Sequence, residues 1–292
     1  MTLPIRIGIM AKKFIIVTTP RSGSQMLCEF LGSQKKIRCQ YEILHPYKEK
    51  HLNLIAFGRN SLEVQRKFKI LLGEDADKFI GNRNRNFIEY LKLWEEVIQS
   101  EYFGFKIFFS HHIGTNNKLP PEDHIGIGNF LKYIKDNNIK IIHLTRDNIF
   151  LKYISHKTAG ITKNYNSELE SIKFHSIGIN VFYKEFIDYK KDLLEEEEIV
   201  FNFCLKNNID YHHVTYEDLT GKNYISFYKN IIKFLGEDPE SLSDISGTPK
   251  QRKIKTNTLT LRQKVLNIDN FIKEAEIAND TELLKNISIL LS

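Results

Sequence analysis

Lys13-Phe14-Ile15-Ile16-Val17-Thr18-Thr19-Pro20-Arg21-Ser22-Gly23-Ser24-Gln25-Met26-Leu27 is the stretch on which the reading of this chain turns. Phe14 to Thr18 is apolar, β-branched or both, the composition of a buried strand. Thr19 to Ser24 breaks that run with a proline and a glycine. From Gln25 to Leu31 apolar residues recur at helical spacing, and Ser24 is predicted to cap the helix. A strand, a short small-residue loop and a helix form an anion cradle. The first amides of the helix have no intrahelical acceptor, and the helix dipole favours negative charge there. Arg21 and the serines add donors. A tight strand-to-helix turn without a ligand would use the same residues, so the rest of the chain must decide. The loop lacks the G-x-x-x-x-G-K-[ST] pattern of nucleotide triphosphatases.

At 292 residues the chain suits one large α/β domain or two small ones. Hydrophobic residues make up 41%, and the 27% that are charged favour a soluble protein. The net charge of +6 fits an anionic ligand. It does not make a nucleic-acid footprint, because the lysines are scattered among glutamates without a dense basic stripe. Cys28, Cys39 and Cys204 have neither metal nor redox spacing, which points to free thiols in a reducing compartment. Residues 1–10 lack the apolar run of a signal peptide. No run of about 18 apolar residues is present, so no stable membrane insertion is expected. A cytoplasmic protein is the expectation, and the oligomeric state is not readable.

Apolar runs at Ile37–Tyr41, Phe103–Phe109, Lys140–Thr145 and Asp210–Thr215 read as further strands, with helices between them. Helices are predicted over Ile125–Ile134, Asn148–Ala159, Ser176–Glu196 and Ile225–Leu235, the last closed by Gly236. Glu195 to Glu198 reads as a solvated face. Alternating strands and helices predict an α/β fold, a central parallel sheet flanked by helices. Two helical runs between about 50 and 100 read as an insertion. The whole of 1–292 is expected to be one domain.

Pro20-Arg21-Ser22-Gly23-Ser24 resembles the 5′-phosphosulfate loop of the sulfotransferases, and three later stretches extend the resemblance in order. Thr145-Arg146-Asp147-Asn148 with Ser155 downstream is similar to the family's 3′-phosphate site, where an arginine and a serine grip one phosphate. Thr215-Tyr216-Glu217-Asp218-Leu219 matches a strand end of these enzymes whose role is mainly structural. Lys253-Ile254-Lys255-Thr256-Asn257, followed by Val265-Leu266-Asn267, looks like the basic segment, about 247–270, that folds over the nucleotide. Thr256 stands where glutamine is usual, and Gln25 where serine or threonine is commoner. The nearest likeness is to the bacterial nodulation, trehalose-type and carbohydrate sulfotransferases. The implied fold is P-loop-like, with a helical insertion.

The resemblance implies a sulfuryl donor, 3′-phosphoadenosine 5′-phosphosulfate (PAPS), and a hydroxyl-bearing acceptor, a carbohydrate or small molecule. Arg21, Ser22, Gly23, Ser24, Gln25 and Met26 would hold the 5′-phosphate and the transferring group. Arg146 and Ser155 would hold the 3′-phosphate, and Lys253, Lys255 and Thr256 would close over the nucleotide. Lys106 resembles the lysine of the family's Gly-Phe-Lys strand. A base must take the acceptor's proton; Glu42 is the first candidate, with His45, His111 and His112 as alternatives. No metal is implied, and no His, Cys or carboxylate cluster has ligand spacing. Competing readings are a P-loop kinase-like phosphotransferase and a non-catalytic binder of an anionic nucleotide.

Overall fold

The computed structural model describes residues 11–44, 70, 73, 86–98, 100–109, 113, 125–162, 177–242 and 259–291. Five parallel strands form one sheet: β1 (Lys12–Thr18), β2 (Ile37–Gln40), β3 (Tyr102–Phe108), β4 (Lys140–Thr145) and β5 (Tyr211–Thr215), in the order β2-β3-β1-β4-β5. The parallel sheet expected from the sequence is therefore present. Both of its faces are covered, as parallel sheets require.

Alternation along β1 sends its side chains into two cores. Phe14 and Ile16 pack with Leu27, Phe30 and Leu31 of α1 (Ser24–Ser33) and with Tyr228 and Ile232 of α7 (Tyr224–Leu235). Ile15 and Val17 face the opposite side. They join Tyr90 and Trp94 of α2 (Phe87–Ile98), Phe130 of α3 (Ile127–Asp136) and Phe203 of α5 (Tyr183–Lys206). Gly104 in β3 is required by this packing, because a Cβ there would meet the Phe14 ring at 2.2 Å.

A third core lies beyond the sheet. Phe150 and Tyr153 of α4 (Ile149–Thr162) meet Phe186 of α5, Phe271 of α9 (Ile268–Ile277) and Ile287 of α10 (Thr281–Leu291). Two short α-helices, α6 (Tyr216–Thr220) and α8 (Leu261–Lys264), and a 3-10 turn at Pro239–Ser241 are also described.

The largest departure from the expected helix boundaries is at α5. The helix predicted over Ser176–Glu196 begins at Tyr183 and runs on to Lys206. Residues 177–182 lie outside it because their backbone bonds go elsewhere. Ile179 N donates to Lys264 O at 2.8 Å, Leu266 N donates to Ile179 O at 2.9 Å, and Asn267 bonds both the N–H and the C=O of Val181. The C-terminal segment thus takes up the donors and acceptors that an earlier helical turn would need.

This topology fixes where a ligand belongs. The chain leaves β1 toward β2 on one side and leaves β4 toward β5 on the other. The carboxyl ends of the adjacent strands β1 and β4 therefore border the crevice at the switch point of the sheet.

Candidate active site

The loop after β1 is held in an unusual backbone shape. Thr18 closes the strand by donating its hydroxyl to Leu144 O of β4 at 2.7 Å. Arg21 then adopts φ 68° and Gly23 φ 82°, both left-handed. Such a conformation is uncommon for a residue with a side chain, so neighbouring contacts must hold Arg21 in it. Gly23 has a second constraint: a Cβ there would lie 2.5 Å from the ring of Tyr216.

Gly23, not Ser24, occupies the cap position of α1, and no side chain caps that helix. Ser24 is its first helical residue, because left-handed Gly23 already makes the turn. Leu27 N bonds Gly23 O, so the amides of Ser24, Gln25 and Met26 precede the first intrahelical bond. These are the donors that an anion at a helix start can take. The Met26 side chain packs against the core below α1. Gln25 donates its side-chain amide to Glu29, one turn along, at 3.1 Å. Both residues thus face the loop through their backbone.

Arg21 and Arg146 meet at the mouth of the crevice. Arg21 Nε donates to Ser155 Oγ of α4 at 2.8 Å, and Arg146 Nη1 donates to the Arg21 carbonyl at 3.3 Å. Ser155 thus lies beside Arg21. Burial and the neighbouring Arg146 charge both pull the Arg21 pKa down. Arg146 lies with its guanidinium carbon 4.7 Å from the Tyr216 ring centre. Its Nε is buried without a hydrogen-bond partner among the described residues; Glu217 is 3.9 Å away, beyond bonding reach. Glu217 instead accepts from the Asp147 and Asn148 amides at 2.9 and 3.3 Å, fixing the turn that carries Arg146. Thr215 and Asp218 form a capping box that sets α6, and with it Tyr216, against the loop.

Behind the loop sits a lysine that the sequence reading did not single out. Lys152 of α4 is 0% exposed and donates to Thr19 Oγ1. Thr19 Oγ1 in turn lies 3.2 Å from Ser22 Oγ, and Ser22 is also fully enclosed. Glu197 of α5 pairs with Lys152 at 3.4 Å. Burial pulls the Lys152 pKa down to about 8, against the attraction of Glu197. Burial also pushes the Glu197 carboxyl up.

The run Glu195 to Glu198 is therefore not wholly a solvated face. Glu197 turns inward because it lies on the stripe of buried Leu193, Val200 and Cys204, four, three and seven residues away. That helical stripe was the signal available in the sequence.

On the other side of the loop, Lys106 of β3 reaches both the donor loop and the candidate base. Its ammonium bonds Glu42 at 2.7 Å and Ser24 Oγ at 3.3 Å, and it lies 5.7 Å from the Tyr41 ring centre. Glu42, two residues past the end of β2, is thus brought to the mouth of the sheet beside α1. Among the other histidines, His143 is a core residue: its Nδ1 lies 2.8 Å from the Tyr211 hydroxyl, and burial drives its pKa down to about 3.

Arg21, Gly23, Ser24, Arg146, Ser155, Lys106 and Glu42 therefore converge on the carboxyl ends of β1, β3 and β4. His45, His111, His112, Lys253, Lys255 and Thr256 lie outside the described residues, as does most of the stretch from 50 to 86. Among the described residues no group of three or more His, Cys, Asp or Glu is placed to hold a metal ion, and no helix is long and apolar enough to cross a membrane.

A family profile described as a sulfotransferase domain matches residues 11–278. Similar solved structures include the sulfotransferase domain of the curacin biosynthetic pathway, at 14% identity and a TM-score of 0.44, covering 92% of this chain and 98% of that one. A sulfotransferase from Alicyclobacillus acidocaldarius matches at 13% identity and a TM-score of 0.44, with 96% of each chain covered. A mouse sulfotransferase, SULT7A1 complexed with PAP, matches at 15% identity and a TM-score of 0.41, with 96% and 90% covered. No curated protein matches the chain.

Proposed function

We propose, for a chain that belongs to the sulfotransferase family and is thus an enzyme of sulfuryl transfer, that its donor is PAPS and its acceptor a hydroxyl of a carbohydrate or other small molecule. The observation that supports this most is the pair of guanidiniums at the switch point. Arg146 carries a buried Nε with no hydrogen-bond partner among the described residues, and Arg21 sits beside it. Two like charges brought together under partial burial favour an anion between or beside them. A nucleotide with phosphates at both 5′ and 3′ supplies two such groups. Arg21 and the amides of Ser24, Gln25 and Met26 would take the 5′-phosphosulfate, and Arg146 with Ser155 the 3′-phosphate. All of 1–292 would then act as one domain, with the segment of Lys253, Lys255 and Thr256 closing over the donor.

The chemistry asked of the residues is positioning and charge stabilisation. The acceptor oxygen attacks sulfur in line, and the bond from sulfur to the bridging phosphate oxygen breaks. The products are a sulfate ester and 3′-phosphoadenosine 5′-phosphate. Glu42 would accept the acceptor's proton. Lys106, touching both Glu42 and Ser24, would hold the base against the donor loop and offset negative charge developing on the leaving phosphate.

Two measurements test the reading. Melting of the purified chain should rise with 3′-phosphoadenosine 5′-phosphate and not with ATP. The reverse result would remove PAPS as the donor. Once a transfer screen with radiolabelled donor finds an acceptor, Glu42→Gln should retain nucleotide binding and lose about 10²- to 10⁴-fold in turnover, the range for a general base. Unchanged turnover would remove Glu42 from the role and pass it to His45, His111 or His112.

A further inference from the structure

Lys152 has no part in the resemblance to the family, yet it is the most deeply buried cation at the site. Its side chain rises from α4 and ends on Thr19 Oγ1, and from there the contact continues to Ser22 Oγ. A charged ammonium is only a donor. Thr19 must therefore accept from Lys152, which leaves its O–H free to donate to Ser22. The charge on one lysine thus reaches the loop from below through Thr19. A neutral lysine could instead accept from Thr19 and take that O–H away from Ser22.

We infer that Lys152 is a positioning residue for sulfuryl transfer, bracing the donor loop through Thr19 and Ser22 and supplying a buried positive charge beneath the bound anion. The inference rests on the proposal that this loop holds the donor's 5′-phosphosulfate. The partner that keeps the ammonium in place is Glu197, which reaches it from α5.

The charged and titratable groups around Lys152 come from every element packed on it. Glu196 and Glu197 on α5 favour its charge, while Arg146 at the end of β4 opposes it. His143, in β4, is itself held neutral by burial and by the charges of His213 and Lys152. Tyr189 of α5 faces Arg21, Arg146 and Glu197, and burial keeps its phenol protonated. Without a bound anion, burial leaves the lysine titrating near pH 8. An anion above it favours the charged form, so binding takes up protons around and above that pH. Phosphate monoesters complete their second ionisation near pH 6, so the nucleotide's charge is constant above about pH 7.5.

The test is calorimetric titration of 3′-phosphoadenosine 5′-phosphate into the full chain between pH 7.5 and 9.5. Wild-type affinity should fall with rising pH, with proton uptake seen as a dependence of the binding heat on buffer ionisation. Lys152→Gln should bind about tenfold or more weakly at pH 7.5, the loss of one charge-assisted contact, and its affinity should stay flat across the range. Glu197→Gln keeps the lysine but removes its counter-charge, so the fall should begin at lower pH. That variant and the wild-type profile decide the matter should Lys152→Gln not fold. A flat wild-type profile, or a Lys152→Gln variant that binds like wild type with the same profile, overturns the inference alone. Absence of nucleotide binding by wild type overturns the donor reading, and the inference with it.

Discussion

The two ends of the sheet both bury lysines, but on different terms. At the amino end of β1, Lys13 pairs with the Glu95 carboxylate at 2.8 Å, donates to Asn137 at 2.7 Å, and lies 5.7 Å from the Tyr133 ring centre. There each charge has an opposite charge at close ion-pair distance. At the carboxyl end, burial and the Arg146 charge pull the Arg21 pKa down, and Arg146 Nε stays 3.9 Å from the Glu217 carboxylate. Lys152 is held by Glu197 at the longer distance of 3.4 Å. A buried charge that is fully matched stabilises the fold or is neutral to it. One left incompletely matched is tolerated where a ligand completes it. The first end should therefore respond to substitution in stability, and the second in binding.

The largest expected effect belongs to the amino end. Lys13→Met leaves Glu95 mostly buried without its counter-charge, a loss of about 3 kcal/mol. For a chain of this size that lowers the melting temperature by roughly 6 °C or more. Affinity for 3′-phosphoadenosine 5′-phosphate should not change. The sign with pH follows from Glu95, whose carboxyl burial already pushes above its ordinary 4.5. A raised carboxyl contributes stability below its unfolded pKa and loses that contribution as pH rises through the folded value. The deficit of Lys13→Met should therefore be smallest in acid and grow as pH rises above about 4.5. A deficit that shrank toward neutral pH, or a drop in nucleotide affinity, would break the division between the two ends.

Arg146→Ala is the counterpart at the carboxyl end. It removes the repulsion with Arg21, so melting of the nucleotide-free protein should stay within about 1 kcal/mol of wild type. Binding of 3′-phosphoadenosine 5′-phosphate should weaken by about 30- to 100-fold, the worth of two to three kcal/mol in charge-assisted bonds. Parallel melting and calorimetry separate these outcomes. A large loss of stability with unchanged affinity would make Arg146 a structural residue and sink the comparison.

This asymmetry also explains what could be read from the sequence. Phe14 to Thr18 and Lys140 to Thr145 announced themselves because strands buried on both faces must be apolar throughout. That Arg21, Arg146 and Ser155 lie near one another was foreseeable, because Arg21 and Arg146 follow strands and Ser155 sits in the helix after β4. Lys152 and Glu197 were not singled out, since a lysine or a glutamate in a helix is ordinarily solvated. Their meaning depends on packing between α4, α5 and the loop, which are distant in sequence. Glu197 carried a local hint in its place on the stripe of Leu193, Val200 and Cys204, and the surrounding acidic run masked it. The start of α5 was misplaced for a similar reason. Residues 177–182 are Ile, Gly, Ile, Asn, Val and Phe, poor helix formers beside a strongly helical run, and Lys264, Leu266 and Asn267 bond their backbone from more than 80 positions away.

The smallest predicted effect concerns Gln25, the residue at which the loop departs from the pattern it resembles. If a side-chain hydroxyl at this position were needed to bind phosphate, the glutamine should be a handicap, and Gln25→Ser should tighten binding. The structure gives the side chain another partner. Its amide donates to Glu29, whose carboxylate also accepts from the Tyr41 hydroxyl at 3.0 Å. The contribution at the loop is then the backbone N–H at the start of α1, which survives any replacement except proline. Gln25→Ala should lose only the contact along the helix, less than about 0.5 kcal/mol of stability. Both Gln25→Ala and Gln25→Ser should change nucleotide affinity by less than about threefold, set against the much larger loss at Arg146. A tenfold gain in Gln25→Ser would show that the side chain, and not the amide, faces the donor. The carboxyl end of the sheet would then lack a hydroxyl that could strengthen its hold on the anion.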